Sequence, residues 1–129
     1  MITKILLVLK KHILSISILY TLFLTFVSLI KLEDIPVPSE GDKVFHFFAY
    51  TILAMLWFFV LNRTFNFKKT NALLISAISA IIFGIIIEIL QGTVTVDRSL
   101  DVNDIIANSL GVFIATVFIL IKPKTEVKK

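Results

Sequence analysis

Glu88 and His46 are the two side chains of this 129-residue sequence whose types and positions could support acid–base chemistry. Glu88 lies in the apolar stretch 72–90, where an ionisable side chain is costly unless it contacts partners or a water-filled cavity. It could therefore act as a general base, a proton carrier or a cation ligand. The alternatives are a structural ion pair with Arg98, Lys43 or His46, or a position partly among lipid headgroups, close to the end of the stretch.

His46 could act as an acid or a base, because histidine side chains titrate near neutral pH. Asp42 precedes it by one helical turn, about 6 Å along the axis, and Lys43 lies beside it. The alternative is a neutral structural histidine that is hydrogen-bonded to Glu88 or Asp104. Both interpretations stay open.

Asp104 and Asn108 are four residues apart at the start of a predicted helix, so they share one helical face. Asp104 would complement the positive end of the helix dipole, and either it or Asn103 could cap the helix. Asn108 lies one turn deeper, where capping does not apply. Its amide is expected to hydrogen-bond across the helices.

Arg98 and Gln91 are the remaining polar residues near these segments. Arg98 could bind a carboxylate or a phosphate through two parallel hydrogen bonds. The alternative is a salt bridge to Asp97 or Asp101 that holds its own loop. Gln91 follows Glu88 by three residues and therefore lies on the same helical face.

Other kinds of site have little support in the sequence. His46, Glu88 and Asp104 resemble an oxygen and nitrogen ligand set, but there is no HExxH motif and no closely spaced histidine pair. The absence of cysteine excludes disulfides and thiolate sites. No GxSxG motif, P-loop or GxGxxG motif occurs. We therefore predict neither a metal nor a cofactor.

The composition indicates that these residues belong to a membrane protein. Apolar residues make up 57% of the chain and charged residues 17%, against about 45–50% and about 25% in soluble domains. These values argue against a soluble enzyme, a disordered chain and a nucleic-acid-binding protein, even with a net charge of +4. A bilayer-spanning helix needs about 20 residues. We predict an all-α membrane protein, a four-transmembrane-helix bundle that forms one domain over residues 1–129, with spans at about 12–30, 44–61, 72–90 and 105–121.

Charged residues outside the spans predict the orientation of the chain. Ten of the thirteen basic residues precede the first span, follow the fourth, or lie between the second and third. Because cytoplasmic segments carry an excess of Lys and Arg, both termini are predicted to be cytoplasmic and the two acidic connections to face outward. The aromatic run Trp57, Phe58 and Phe59 is then expected to face lipid at the inner interface. Residues 5–9 would either extend the first helix or lie along that interface.

Each predicted span carries small and polar residues on one face, as expected where membrane helices pack together. These residues are Ser17, Thr21, Thr25 and Ser28; Asp42, His46, Ala49, Tyr50 and Leu53; Ala77, Ala80, Gly84, Glu88 and Gln91; and Asp104, Ala107, Asn108, Gly111 and Ala115. In spans two to four, the polar ones among them lie at the outer ends. This arrangement predicts an outward-facing polar pocket, formed by Asp42, Lys43, His46, Glu88, Gln91, Arg98, Asp104 and Asn108.

At these residues the sequence resembles the VanZ-like family of small bacterial membrane proteins. The segments that carry the resemblance are 42–50, 84–91 and 98–111, and it extends over about residues 40–118. The positions that match the family pattern are Asp42, Lys43, His46, Glu88, Gln91, Arg98, Asp104, Asn108 and Gly111. The resemblance implies a multi-pass protein of the bacterial cytoplasmic (inner) membrane. For some members it also implies low-level resistance to the glycopeptide teicoplanin, but it supplies no biochemical mechanism.

Three functional hypotheses follow. In the first, which we favour, the pocket binds a lipid headgroup, a cell-wall precursor or a glycopeptide-related ligand of the cell envelope, and Arg98 and Lys43 meet its anionic groups. In the second, the chain is a membrane-embedded enzyme that acts on a lipid-linked envelope substrate, with His46 and Glu88 as the acid–base pair. In the third, it is a structural scaffold subunit. The expected partners are the lipid bilayer and an envelope ligand, with no nucleic acid; a homo-oligomer or a membrane partner protein stays open.

Overall fold

The computed structural model describes residues 2–29, 39–94 and 102–121, and the helices below account for nearly all of them. These ranges contain four helices and no strand. All four helices are long and apolar enough to cross a membrane. The prediction of an all-helical protein with four such helices is confirmed, and the orientation of the termini stays a prediction. The helices are α1 (Ile2–Leu29), α2 (Ser39–Phe59, continued by a π-helical turn at Val60–Thr64), α3 (Lys69–Val94) and α4 (Val102–Ile121).

The helices extend beyond the predicted spans. Helix α1 begins at Ile2 instead of near residue 12, and α3 covers Lys69–Val94 instead of 72–90. Hydropathy marks the part of a helix that can lie in hydrocarbon, whereas the helical backbone continues into flanks whose lysines are good helix formers. Of the two expectations for residues 5–9, the extension of the first helix is the one observed.

The helices alternate in direction. Lys43, near the start of α2, contacts Asp104, near the start of α4, and Gln91, near the end of α3, contacts Ser28, near the end of α1. We call this the Lys43 end of the bundle and the opposite one the Arg63 end. Helix α2 packs against the other three helices, whereas α1 and α4 do not approach each other within the described ranges.

The connection between α2 and α3 is short and tightly hydrogen-bonded. The Asn62 side chain donates to the carbonyl of Phe67 at 2.9 Å, and the amide of Phe65 donates to the carbonyl of Val60 at 3.1 Å. Asn66 has a positive φ of 60°, a conformation that asparagine adopts more readily than most residues. These bonds reverse the chain within a few residues, so α3 can return along α2.

The closest approach of two helices is at Gly111, where α4 crosses α2. A Cβ atom at this position would lie 2.2 Å from the carbonyl oxygen of Phe47, closer than real Cβ contacts come. The Thr51 hydroxyl lies at the same crossing, 2.8 Å from the Phe47 carbonyl and 3.1 Å from that of Gly111. The missing side chain therefore lets the two backbones meet, and Thr51 links them.

The predicted small and polar faces do form the inside of the bundle. Ser17 and Ser28 of α1 are buried, as are Ala80 and Gly84 of α3, while large apolar side chains such as Phe113 face outward with 60% exposure. This distribution is the inverse of a soluble protein and matches helices surrounded by lipid. The buried apolar core consists of Leu24, Ala49, Tyr50, Leu53, Ala54, Ala80, Val112 and Ala115, with a second cluster of Phe58, Ala72, Leu73 and Ile119 at the Arg63 end.

The prediction that Trp57, Phe58 and Phe59 face lipid is wrong for Phe58, and the other two rings are partly buried against the core. Phe58 is 4% exposed and belongs to the second core cluster. The indole N–H of Trp57 donates to the Thr21 hydroxyl of α1 at 2.9 Å. Because α2 has neighbours on several sides, its last turns have little surface left for lipid. Phe59 is half-buried, with the Arg63 guanidinium 5.9 Å from its ring centroid.

Candidate functional site

An ion pair joins the first turns of α2 and α4 at the Lys43 end. The ammonium nitrogen of Lys43 lies 3.1 Å from Oδ1 of Asp104. The Lys43 side chain is 34% exposed, whereas that of Asp104 is only 9% exposed. Asp104 lies in the first turn of α4, so the helix dipole also stabilises its negative charge. Of the two partners, Lys43 is therefore the more accessible.

His46 lies beneath this pair and contacts both α4 residues that the sequence singled out. Its Nε2 is 3.6 Å from Oδ2 of Asp104, and its Nδ1 is 3.0 Å from the Asn108 side-chain oxygen. The ring is 5% exposed. Lys43, Asp104, His46 and Asn108 thus form a continuous polar chain from the rim of the bundle into its interior. We call these four residues the α2–α4 polar chain.

The orientation of the Asn108 amide determines which histidine nitrogen carries the proton. In the orientation described, Nδ1 of His46 must donate, and the Asn108 nitrogen has no hydrogen-bond partner among the described residues. With oxygen and nitrogen exchanged, the amide donates to Nδ1, and a neutral His46 directs its Nε2–H towards the Asp104 carboxylate. The second arrangement satisfies the buried amide nitrogen and places a donor beside the carboxylate, so we expect it.

Tyr50 closes the deep side of the polar chain. Its ring stacks on His46 with 6.5 Å between centroids and an interplanar angle of 27°, and it also contacts Phe83. A Cβ atom on Gly84 would lie 3.1 Å from both the Asn108 amide nitrogen and the Tyr50 ring. Gly84 therefore lets α3 pack directly over these two side chains.

Glu88 and Gln91 continue the buried polar face of α3 toward the Lys43 end. Glu88 is 1% exposed, and its carboxylate is near enough to interact electrostatically with the Tyr50 hydroxyl. This burial excludes the position among lipid headgroups. Gln91 is 2% exposed and donates to the carbonyl of Ser28 at 2.7 Å. It thereby satisfies one of the carbonyls that the last turn of α1 leaves without an intrahelical donor.

The two remaining predicted site residues lie outside the described part of the chain. Arg98 is in the segment 95–101, and only the backbone of Asp42 is described, within α2. The salt bridges considered for Arg98 lie in the same segment. Of the eight predicted residues, the structure therefore brings four together in the α2–α4 polar chain and buries Glu88 and Gln91 on α3.

An apolar groove runs along the outside of α2 and α4, directly below Lys43. It has a volume of about 510 Å³. Val44, Phe48 and Leu110 are more than half exposed there. The groove has a polar upper end and an apolar body, which is the shape of a site for an amphiphile. Its lining residues are Lys43, Val44, Phe47, Phe48, Asn103, Ile106, Ala107 and Leu110.

The two acid–base candidates of the site differ from Lys43 in their accessibility. His46 and Glu88 are 4% and 1% exposed and so are enclosed by neighbouring side chains, while Lys43 is accessible. Among residues 2–29, 39–94 and 102–121, no group of three His, Asp or Glu side chains is placed to hold a metal ion. The ligand set considered for His46, Glu88 and Asp104 therefore does not form there.

The sequence left three features of this site unidentified: the pairing of Lys43 with Asp104, the Thr51 link at Gly111, and the groove. The pattern showed that Gly111 and Asp104 face inward, but a periodicity does not tell which helix meets which. A signal for the groove was present in the apolar residues Phe47, Phe48 and Leu110. Such residues also cover every lipid-facing surface, so the signal is not specific.

Sequence comparison identifies the family of this chain. The family model described as VanZ/LLP1 matches residues 4–123, nearly the whole chain. No curated protein and no solved structure matches significantly. The match includes every residue of the α2–α4 polar chain and agrees with the resemblance of segments 42–50, 84–91 and 98–111. The chain belongs to the VanZ/LLP1 family.

Proposed function

We propose that this chain is a cell-envelope membrane protein that binds a lipid with a phosphate-containing headgroup in the groove between α2 and α4. The headgroup lies at Lys43 and the hydrocarbon chain lies against Phe48, Ile106 and Leu110. The observation that carries the proposal is the position of Lys43, which is at once 34% exposed, part of the groove lining and anchored by Asp104.

The ion pair with Asp104 supports this role because it fixes the Lys43 ammonium at the rim of the groove. An ammonium has three N–H donors, so a contact with Asp104 is compatible with a further contact to a phosphate oxygen. His46 lies below the Asp104 carboxylate, with 3.6 Å between Nε2 and Oδ2, and Asn108 in turn holds the His46 ring. The polar chain is therefore a support for the binding charge, and Arg98 is a second candidate for the headgroup.

The proposal favours two of the ligand classes that the sequence left open. A lipid-linked cell-wall precursor and a phospholipid both combine a hydrocarbon chain with a phosphate, and both fit a groove of this kind. A glycopeptide carries no phosphate to meet the Lys43 ammonium, so the proposal favours the two phosphate lipids over it. Catalysis is not part of the proposal, because the acid–base candidates are enclosed.

Binding to the purified full-length protein in detergent tests the proposal, with a polyprenyl diphosphate, phosphatidylglycerol, phosphatidylcholine and teicoplanin as probes in native mass spectrometry. Removing the charge with Lys43→Gln should weaken diphosphate binding about five-fold, the effect of one such contact. Leu110→Trp fills the groove and leaves the ion pair intact, and it should also reduce binding. Phe113→Trp, which is equally exposed but outside the groove, should not.

Equal binding by the wild type, Lys43→Gln and Leu110→Trp would contradict the proposal. Tight binding of teicoplanin without the phosphate lipids would favour the glycopeptide ligand instead. A loss of folded protein in Lys43→Gln, with unchanged lipid binding in Leu110→Trp, would favour the structural scaffold.

The proposed site also requires the Lys43 end to face outward, which the cysteine-free chain makes easy to test. Val102→Cys lies at the Lys43 end and Thr64→Cys at the Arg63 end, and both positions are exposed. A membrane-impermeant maleimide applied to intact cells should label Val102→Cys and not Thr64→Cys. The opposite pattern would refute the outward orientation.

A further inference from the structure

A second groove lies at the opposite end of the bundle, between the first half of α1 and the π-helical turn of α2. Its volume is about 410 Å³. Its lining combines exposed apolar side chains of α1 with two basic side chains from different helices. The lining residues are Thr3, Leu6, Leu7, Leu9, Lys10, Ile13, Phe59 and Arg63.

The two basic residues, Lys10 and Arg63, could contact the same ligand because they line one groove. Lys10 comes from α1 and Arg63 from the π-helical turn, and both line the same groove. The Arg63 guanidinium lies 5.9 Å from the Phe59 ring centroid, within the range of a cation–π contact. No acidic residue lines the groove, and none occurs anywhere in α1. The site therefore has two positive charges that its own lining does not neutralise.

The apolar lining indicates what kind of anion fits. Leu6 and Leu7 are about 60% exposed, and they line the groove together with the two charges. A free phosphate would leave this apolar surface uncovered, whereas a lipid supplies both an anionic headgroup and a hydrocarbon chain. We infer that this groove binds one anionic glycerophospholipid, whose phosphate lies between Lys10 and Arg63 and whose hydrocarbon part lies against the apolar lining of the groove.

This site is independent of the groove between α2 and α4. The two grooves share no residue and lie at opposite ends of α2. Because Arg63 directly precedes the turn into α3, a lipid here joins α1 to the α2–α3 connection. Helix α1 has the smallest buried share of the four spans, 17%, so a bound lipid adds contacts where the protein itself has few.

The experiment measures phosphatidylglycerol binding to the full chain in detergent by native mass spectrometry, with phosphatidylcholine for comparison. The double variant Lys10→Gln/Arg63→Gln should bind phosphatidylglycerol about 25-fold more weakly, the product of two contacts. The matched control is Lys11→Gln/Lys68→Gln, which removes the same charge from the same end at exposed positions outside the groove. The control should bind as the wild type does.

A pair of steric variants tests the groove with all charges retained. Leu6→Trp fills the groove and should reduce phosphatidylglycerol binding, whereas Val8→Trp, exposed on the same helix but outside the groove, should not. Soluble glycerol 3-phosphate at matched concentration should not displace the lipid. The inference would be overturned if the two double charge variants lost phosphatidylglycerol binding equally, or if Leu6→Trp bound it as the wild type does. It would also be overturned if the wild type bound phosphatidylcholine as tightly as phosphatidylglycerol. The same comparison in a Lys43→Gln/Leu110→Trp background, which removes the groove between α2 and α4, separates this site from the proposed function: phosphatidylglycerol binding that persists there should be lost with Lys10→Gln/Arg63→Gln.

Discussion

The contact between α2 and α4 makes Gly111→Ala the most informative single substitution for stability. The added Cβ would be placed 2.2 Å from the Phe47 carbonyl oxygen, and real Cβ atoms essentially never come within 3.0 Å of a neighbour. The helices must therefore separate by about 0.8 Å or more at this point. The obstacle is backbone, so no side-chain rotation can relieve it. We expect a loss of about 1–3 kcal/mol in the free energy of unfolding, typical of an overpacked interior.

The same displacement should weaken the polar contacts on that interface. The Lys43–Asp104 separation of 3.1 Å and the Thr51–Gly111 hydrogen bond of 3.1 Å are both near the upper limit of good geometry. An increase of 0.8 Å would take the Thr51–Gly111 contact beyond hydrogen-bonding distance and would also move Asp104 relative to Lys43. Gly111→Ala should therefore weaken lipid binding in the α2–α4 groove as well as destabilise the protein.

Gly84→Ala provides the matched control for this prediction. Its added Cβ would lie 3.1 Å from two side chains, Asn108 and Tyr50, which can move by a few tenths of an ångström. Equilibrium unfolding of both variants in mixed micelles, followed by circular dichroism, should show a clearly smaller loss for Gly84→Ala. An equal or larger loss for Gly84→Ala, or wild-type stability for Gly111→Ala, would refute the assigned helix crossing.

Three further predictions follow from the buried hydrogen bonds. Trp57→Phe and Thr21→Val each remove one partner of the hydrogen bond between α1 and α2, and each should lower the unfolding free energy by about 1 kcal/mol. The double variant should lose little more than either single variant, and fully additive losses would argue against the bond. In ¹⁵N NMR spectra, Nε2 of His46 should carry the proton and Nδ1 should not, whereas a protonated Nδ1 would show that the Asn108 amide oxygen accepts from it. Gln91→Leu leaves the Ser28 carbonyl of α1 without the Gln91 donor and should lower the unfolding free energy by about 1–3 kcal/mol. Unchanged stability in the same equilibrium-unfolding experiment would contradict the contribution of this hydrogen bond.

The sequence predicted the inward faces well because one physical rule governs them. In lipid, polar and small side chains are the ones that gain from helix contact, so their spacing identifies the buried face. Ser17, Gly84, Asn108 and Ala115 were all placed correctly by this rule, and all are buried. Phe58 was misplaced because aromatic residues are typical of membrane interfaces as well as of packed cores.

The pairing of residues across helices could not be derived from these patterns. A helical face defines a direction, but the partner depends on helix order, crossing point and relative height. Glu88 was considered as a partner of Lys43, yet Lys43 pairs with Asp104 on α4. The reason is the crossing at Gly111, which brings the starts of α2 and α4 together. A glycine in a stripe of small residues indicates that a close contact exists without indicating which helix makes it.

The position of the Gly111 crossing also links stability to the proposed function. Phe47 and Lys43 are one turn apart on α2, and Gly111 and Asn108 are one turn or less apart on α4. The close backbone contact, the polar chain and the groove therefore occupy the same short stretch of one helix pair. A rigid crossing fixes the height of α4 relative to α2, and this height places Asp104 under Lys43. The α2–α4 pair can consequently hold a charged group at the rim of an apolar groove without any contribution from α1.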